Sequence, residues 1–286
     1  MTPQKFRTLV WKYWKEHGRH DLPWRKTTDP YKILVSEVML QQTQVERVIP
    51  YYKAFLKKYP TVQKLEEAPL RDVLTLWQGL GYNRRAKMLH EAAKVVVHEH
   101  GGKFPKTPLE LGKLTGIGPY TAGAVAAFAY NQDEIFIETN IRTVITHHFF
   151  SKELQSETVK ENTSIYESVL SKIDDKEIMK VLEKVHPVGQ AREWYAALMD
   201  YGAHLKRSGI RINNQARGYT KQSPFKGSDR EARGALLRAL AQGSCTRTKL
   251  LKVLGTERKT QLETQLTALL KEELVIREGV RYTLPL

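Results

Sequence analysis

Apolar residues recur at three-to-four spacing through most of the first 204 residues, and a chain so patterned buries them by packing helices on helices. The pattern predicts helices over 3–17, 31–56, 69–76, 83–100, 107–114, 119–130, 139–150, 156–172, 176–185 and 191–204. Breaks fall where turn residues stand: Asp29-Pro30, Tyr59-Pro60, Gly79-Leu80-Gly81, Gly101-Gly102, Gly116 and Gly118. No strand pair is expected before residue 270. Residues 1–205 are therefore expected to form an all-α domain or a pair of all-α lobes.

The pattern then changes. Residues 206–227, KRSGIRINNQARGYTKQSPFKG, lack an apolar period and any acid, and read as a basic linker. Residues 228–286 predict helices at 229–242, 246–254 and 257–273, then a hairpin turning at Glu278-Gly279. Three helices and a terminal hairpin describe a winged helix; a generic helical cap is the alternative.

Charge narrows the function. The net charge is +15, and residues 202–286 hold 17 Lys and Arg against 7 Asp and Glu. That imbalance points to a polyanion partner, with solubility alone as the bland alternative. No apolar run reaches the roughly 18 residues of a membrane span. The charged N-terminus lacks a signal-peptide core, so a cytoplasmic, nucleoid-associated monomer with no membrane partner is expected. The single cysteine, Cys245, excludes an intrachain disulfide and an all-cysteine metal cluster within one chain.

Four segments carry chemistry. In YKILVSEVMLQQTQV (31–45), Glu37 stands among Ile33, Leu34, Val35, Val38, Met39 and Leu40, a run expected to form a buried helix. A buried carboxylate is costly unless paired, hydrogen-bonded or protonated, and burial raises a carboxyl pKa toward what a general acid needs. Gln41, Gln42 and Thr43 follow, side chains suited to reading a nucleobase. A Glu satisfied by helix N-termini is the structural alternative. In LTGIGPYTAG (114–123), Gly116 and Gly118 turn the chain between two helices ahead of Thr121, a helix-hairpin-helix pattern suited to gripping a phosphate. In IFIETNIRTV (135–144), Glu138 precedes a helix that Thr139 and Asn140 can cap; the acid is either a helix-dipole partner or a catalytic group. In LWQGLGYNRRA (76–86), Leu80 and Tyr82 flank a glycine turn before Arg84 and Arg85, which suits a wedge in a base stack with phosphates alongside. An ordinary turn with a packed aromatic is the alternative.

Together with LPWR (22–25), GGKFP (101–105) and ALMDYGA (197–203), these segments resemble the MutY-type adenine DNA glycosylases of the helix-hairpin-helix superfamily, which also holds endonuclease III. The resemblance covers about residues 3–205. It implies a two-lobed helix-hairpin-helix fold and a partner of double-stranded DNA carrying a mismatch or lesion. It implies Glu37 as the acid that protonates the purine, and Gln42, Thr43 and Leu80 as contacts to the opposite base. Tyr82 matches the intercalating wedge, and Leu22, Trp24 and Arg25 match part of the flipped-base pocket. Tyr120 stands where bifunctional relatives place a Schiff-base lysine, so no lyase step is expected. Asn140 matches an asparagine beside the catalytic carboxylates.

The chain departs from that family in four places. Glu138 replaces an Asp, lengthening the reach by one C–C bond, roughly 1.5 Å. The four cysteines of the family's iron–sulfur cluster would fall near Lys206, Asn213, Ala216 and Gln222, so no cofactor is expected. Ala196 stands where relatives carry a Gln or Glu that reaches the adenine edge. A winged helix is expected where relatives carry the domain that recognises 8-oxoguanine. The expected function is thus a monofunctional DNA glycosylase with adenine as the default base. A changed base (thymine or uracil in a mismatch, hypoxanthine or another damaged base) and a catalytically weak lesion-binding protein are the alternatives.

Overall fold

A computed structural model describes residues 1–150, 173–210 and 224–286. The expected helix at 156–172 and the greater part of the basic linker lie outside the described residues. None of the described helices is long and apolar enough to cross a membrane.

The chain divides into two compact units, Met1–Ile33 with Lys106–Gly112 and Gly118–Lys221, and Leu34–Pro105 with Lys113–Ile117 and Gln222–Leu286. In the first unit, α1 (Pro3–His17), α8 (Pro119–Tyr130), α9 (Thr139–Phe149), α10 (Asp175–Val185) and α11 (Ala191–Arg207) surround one core. Phe6, Val10, Ile141, Val144, Leu182, Trp194 and Leu198 are its buried members. Phe6 meets Trp194 edge-on at 6.0 Å between centroids, and Phe136 stacks on Tyr195 at 4.0 Å. Closeness between α9 and α11 depends on Gly202, where a Cβ would fall 2.4 Å from the Asn140 carbonyl oxygen. A short helix, α7 (Pro108–Leu111), is capped by Thr107, whose hydroxyl accepts from Glu110 N.

In the second unit, α3 (Val45–Lys58), α4 (Val62–Glu66), α5 (Leu70–Leu76) and α6 (Arg84–His100) bury Phe55, Leu65, Leu74, Trp77, Leu89 and Val96. The C-terminal segment contributes α12 (Asp229–Ala241), α13 (Arg247–Leu254) and α14 (Lys259–Lys271), joined through Leu237, Leu250, Leu262 and Leu269. Strands β1 (Cys245–Thr246), β2 (Ile276–Glu278) and β3 (Arg281–Thr283) form an antiparallel sheet in the order β1-β3-β2. Tyr282 pairs with Cys245 on one side and Arg277 on the other. Helix, strand, two helices and a hairpin make the order of a winged helix. This segment packs within the same compact unit as residues 34–105: Arg71 N donates to the Pro285 carbonyl at 3.0 Å, and Lys87 Nζ to the Glu272 carbonyl at 3.0 Å.

Two expectations are corrected. The single helix over 31–56 is two, α2 (Pro30–Leu40) and α3, divided at Gln42, whose φ is +54°. β1 lies outside the predicted elements, but its partner is in the C-terminal hairpin, so among the described residues no strand pair falls before residue 270. Thr139 and Asn140 do not cap α9; Glu138 does.

Candidate functional site

α2 starts where the Asp29 carboxylate accepts from Tyr31 N at 2.9 Å. Its residues Ile33, Leu34, Val35, Val38 and Met39 are buried, and so is Glu37, which is 6% exposed; Leu40, at the helix end, is only half-buried. Glu37 holds polar interactions there, as a buried carboxyl must. The end of α2 is settled from outside the helix. Arg85, on α6, donates through one guanidinium nitrogen to the carbonyls of Val38 (2.7 Å), Met39 (3.1 Å) and Gln41 (2.5 Å). Its other terminal nitrogen reaches Thr43 Oγ1 and the Leu80 carbonyl, each at 3.3 Å, and the Gly81 carbonyl at 3.2 Å. A helix end otherwise leaves those carbonyls without partners. Burial pulls Arg85's pKa down to about 10, which leaves it a cation at neutral pH.

One side chain thus ties the Gln41–Thr43 turn to the Leu80–Gly81 turn. Both turns carry a side-chain-bearing residue in the left-handed region, Gln42 at φ +54° and Tyr82 at φ +46°. Such strain persists where the surroundings impose it, and it clusters at ligand sites. Trp77 Nε1 braces the second turn through the Gly81 carbonyl at 3.2 Å, and Arg47 holds the Gly79 carbonyl. Tyr82 is 37% exposed, while Leu80, two residues earlier, is buried. Gln41, Gln42, Tyr82, Arg84 and Arg85 line one cleft of about 420 Å³ in the second unit, floored by Val38 and Met88 and edged by Gly116. The C-terminal segment reaches the same cleft with Arg233 and Glu272, paired at 2.6 and 3.2 Å. Sequence reasoning missed these two residues; no local signal marks them.

The glycine turn before α8 has two different glycines. Gly116 has φ +74°, and a Cβ there would lie 2.5 Å from Met88 Cβ, so the fold itself demands glycine. Gly118 has φ −81° and open space where a Cβ would stand. It is the N-cap of α8, whose first turn has no side-chain cap. The positive end of that helix is left to face an anion. Tyr120 packs edge-on against Phe136 at 5.7 Å, and Thr121 is buried.

Glu138 caps α9 with its side chain. Oε1 accepts from Asn140 N at 2.7 Å and Ile141 N at 3.0 Å. Oε2 accepts from Thr139 Oγ1 at 3.1 Å and Asn140 Nδ2 at 3.3 Å. The longer side chain is folded back onto its own helix, with an anion's worth of donors around it.

Leu22, Trp24 and Arg25 lie on the short 3-10 turn Pro23–Lys26 and just before it. Leu22 and Trp24 are 9% exposed, and Ala196 on α11 is buried. Arg25 is committed to Asp200, at 2.5 and 2.9 Å, and also donates to the carbonyls of Arg19 and Ala196. Arg19 completes the cluster through its backbone N (2.8 Å) and Nε (2.6 Å) to the same carboxylate. Asp200 stands inside the ALMDYGA run, yet nothing local shows its partners, which lie 175 and 181 residues away.

The geometry has relatives. A model of the HhH-GPD superfamily of base excision DNA repair proteins matches residues 35–168. The adenine DNA glycosylase of Mycolicibacterium smegmatis is 33% identical over 279 residues, covering 92% of this chain and 90% of that protein. The chain belongs to the adenine DNA glycosylase family. Another adenine DNA glycosylase, from Buchnera aphidicola subsp. Baizongia pistaciae, is 36% identical over 203 residues. That alignment takes in 71% of this chain and 53% of the relative, so the chain spans about half the length of that family member. Among solved structures, a thermostable thymine-DNA glycosylase matches with a TM-score of 0.56 at 27% identity, over 70% of this chain and 86% of its own. Endonuclease III in a non-covalent complex with DNA matches with a TM-score of 0.52 at 21% identity, over 78% and 90%, a likeness of fold.

The family resemblance raises an iron–sulfur cluster, and the residues here do not fit one. Lys206, near which the resemblance would put the first cysteine, donates a hydrogen bond from its ammonium to Thr139 Oγ1. The other three positions lie outside the described residues and are Asn213, Ala216 and Gln222 in sequence. Cys245 is buried in the C-terminal segment.

Proposed function

We propose that this protein is a monofunctional DNA glycosylase, acting as a monomer on double-stranded DNA and removing a mispaired base, adenine by default. Its chemistry begins with proton transfer, and one observation carries the reading: Glu37 is held almost wholly buried on α2, in a family whose relatives are named adenine DNA glycosylases. The base is flipped from the stack, with Tyr82 as the wedge and Leu22, Trp24 and Ala196 as part of the receiving pocket. Glu37 protonates the leaving base. Glu138 stabilises the cationic sugar, with Asn140 beside it, and water completes the hydrolysis. A phenol at Tyr120 supplies no amine for an imine, so the abasic product persists until alkali is added. No iron–sulfur cluster takes part. The C-terminal segment, with the basic linker, adds phosphate contacts.

A second reading has an observation behind it. Both oxygens of Glu138 are engaged at the start of α9, which suits a protein that binds lesions and cuts weakly. An excision screen decides. Duplexes carry adenine opposite 8-oxoguanine, guanine or cytosine, thymine or uracil opposite guanine, and hypoxanthine, and alkali reveals abasic sites. Alkali-dependent cleavage at adenine supports the leading reading. Tight binding without cleavage on every duplex replaces it with the second, and cleavage at a pyrimidine alone changes the substrate.

The hairpin makes its own prediction. Gly118→Ala is sterically free in the protein, so its melting temperature should stay within about 3 °C of the parent, as expected for a change below ~0.5 kcal/mol. A methyl group at the uncapped helix start should block close approach of a phosphate. Affinity for a fully matched duplex, read by fluorescence anisotropy, is expected to fall about tenfold, or ~1.4 kcal/mol. Unchanged affinity removes this turn from the DNA-binding surface.

A further inference from the structure

Lys206 stands near the end of α11, one turn beyond Gly202. The absent side chain at Gly202 lets α11 lie against the first turn of α9, and Lys206 Nζ then donates to Thr139 Oγ1 at 3.1 Å. An ammonium has donors and no acceptor. Thr139's oxygen must therefore accept from Lys206, and its own proton goes to Glu138 Oε2 at 3.1 Å. The direction of the chain, Lys206 to Thr139 to Glu138, is fixed by the donor at its head. Among the described residues no carboxylate lies within ion-pair distance of Nζ. Burial pulls the Lys206 pKa down, with the charge of Glu138 opposing it. An apolar side chain would fill the same space without that desolvation cost.

We propose that Lys206 is a positioning residue for Glu138: it locks the Thr139 hydroxyl as a donor and so holds the long carboxylate in one rotamer at the start of α9. The proposal rests on the reading of Glu138 as the second carboxylate of a glycosylase. Without the ammonium, the Thr139 hydroxyl loses the donor that fixes its direction, while Glu138 keeps the backbone N–H groups of Asn140 and Ile141 and the Asn140 side-chain amide.

The test is a double-mutant cycle on the full-length protein, read as single-turnover excision from the duplex that the parent cleaves best. Lys206→Met is expected to slow excision about 10- to 100-fold, and Thr139→Val to match it within threefold. The double variant should be no slower than the slower single one, because both break one chain. Lys206→Arg, which keeps a donor-only cation, should recover to within about fivefold of the parent. A second readout needs no activity: the carbon-13 carboxyl signal of Glu138, identified by its loss in Glu138→Gln, should move in both single variants. If Lys206→Met stays folded by thermal melt and excises within twofold of the parent, the proposal fails. It also fails if the two single effects multiply, or if the Glu138 signal stays in place in both variants. A parent that excises no base from any duplex overturns the glycosylase reading instead, and the carboxyl signal still decides whether Lys206 holds Glu138.

Discussion

Glu37→Gln is expected to lower single-turnover excision by at least about 1,000-fold while leaving the duplex dissociation constant within threefold of the parent. General acid catalysis by a positioned side chain contributes roughly 100- to 10,000-fold. The amide keeps the size of the carboxyl and both hydrogen-bonding capacities, but it has no proton to release at neutral pH. Glu37 is buried between Ser36 and Val38, which are buried themselves, so the substitution leaves the outer surface of the protein untouched. Binding, carried by exposed cations and helix ends, should survive. Measured rates within threefold of the parent would remove Glu37 from the chemistry and leave it a satisfied core acid. A loss of binding equal to the loss of rate would mean that α2 had been disturbed, and a thermal melt of the same preparation would show it.

Much of this was legible in the sequence because helices announce themselves locally. α1 and α8 run over the predicted residues, since Thr2 and Pro3 start the one and Gly118 and Pro119 start the other. What stayed hidden depends on distant residues. α2 and α3 read as one helix because their apolar period is unbroken; the residue that ends α2 is Arg85, more than forty positions away. β1 is two residues long and pairs with Tyr282 and Arg281, so nothing near Cys245 betrays it. The carboxylate at 138 was visible, and its two possible roles were both visible, but the four donors it faces were not. Thr139 and Asn140 looked like caps because their residue types favour that place. Glu138 took the cap because its side chain is long enough to fold back over the first turn. The cleft beside Tyr82 shows the same limit: Gln41, Gln42 and Arg84 come from recognisable runs, whereas Arg233 arrives from a segment 150 residues later with no pattern to mark it.

Arg25→Met is expected to cost the folded state ~3–5 kcal/mol, the usual penalty for breaking a buried ion pair from one side. Asp200 is 2% exposed and receives four hydrogen bonds from Arg25 and Arg19. Arg19 remains in the variant, which places the expected loss near the lower end. Burial alone would push the Asp200 carboxyl up, but hydrogen bonding and charge from Arg25, with Arg19 behind it, hold it below the ordinary range. The sign of the pH dependence follows. A carboxyl whose folded pKa is depressed contributes stability that is present above its unfolded pKa, about 3.9, and is lost as pH falls through the folded value. The stability gap between the parent and Asp200→Asn should therefore be flat from pH 7 to 5 and narrow below about pH 4. Urea melts across that range measure it, and a gap that persists unchanged to pH 3 would mean that an ionised Asp200 is not what the arginines hold. The same bonds bear on the proposed base pocket. Arg25 fastens the Leu22–Trp24 turn to the Ala196 carbonyl, so a loosened Arg25 moves the proposed base pocket as well as the fold. Arg25→Lys separates the two effects, because it keeps the charge beside Asp200 but cannot span both carboxylate oxygens. It should melt closer to the parent than Arg25→Met does and still excise several-fold more slowly. Full activity in a folded Arg25→Lys protein would confine Arg25 to stability.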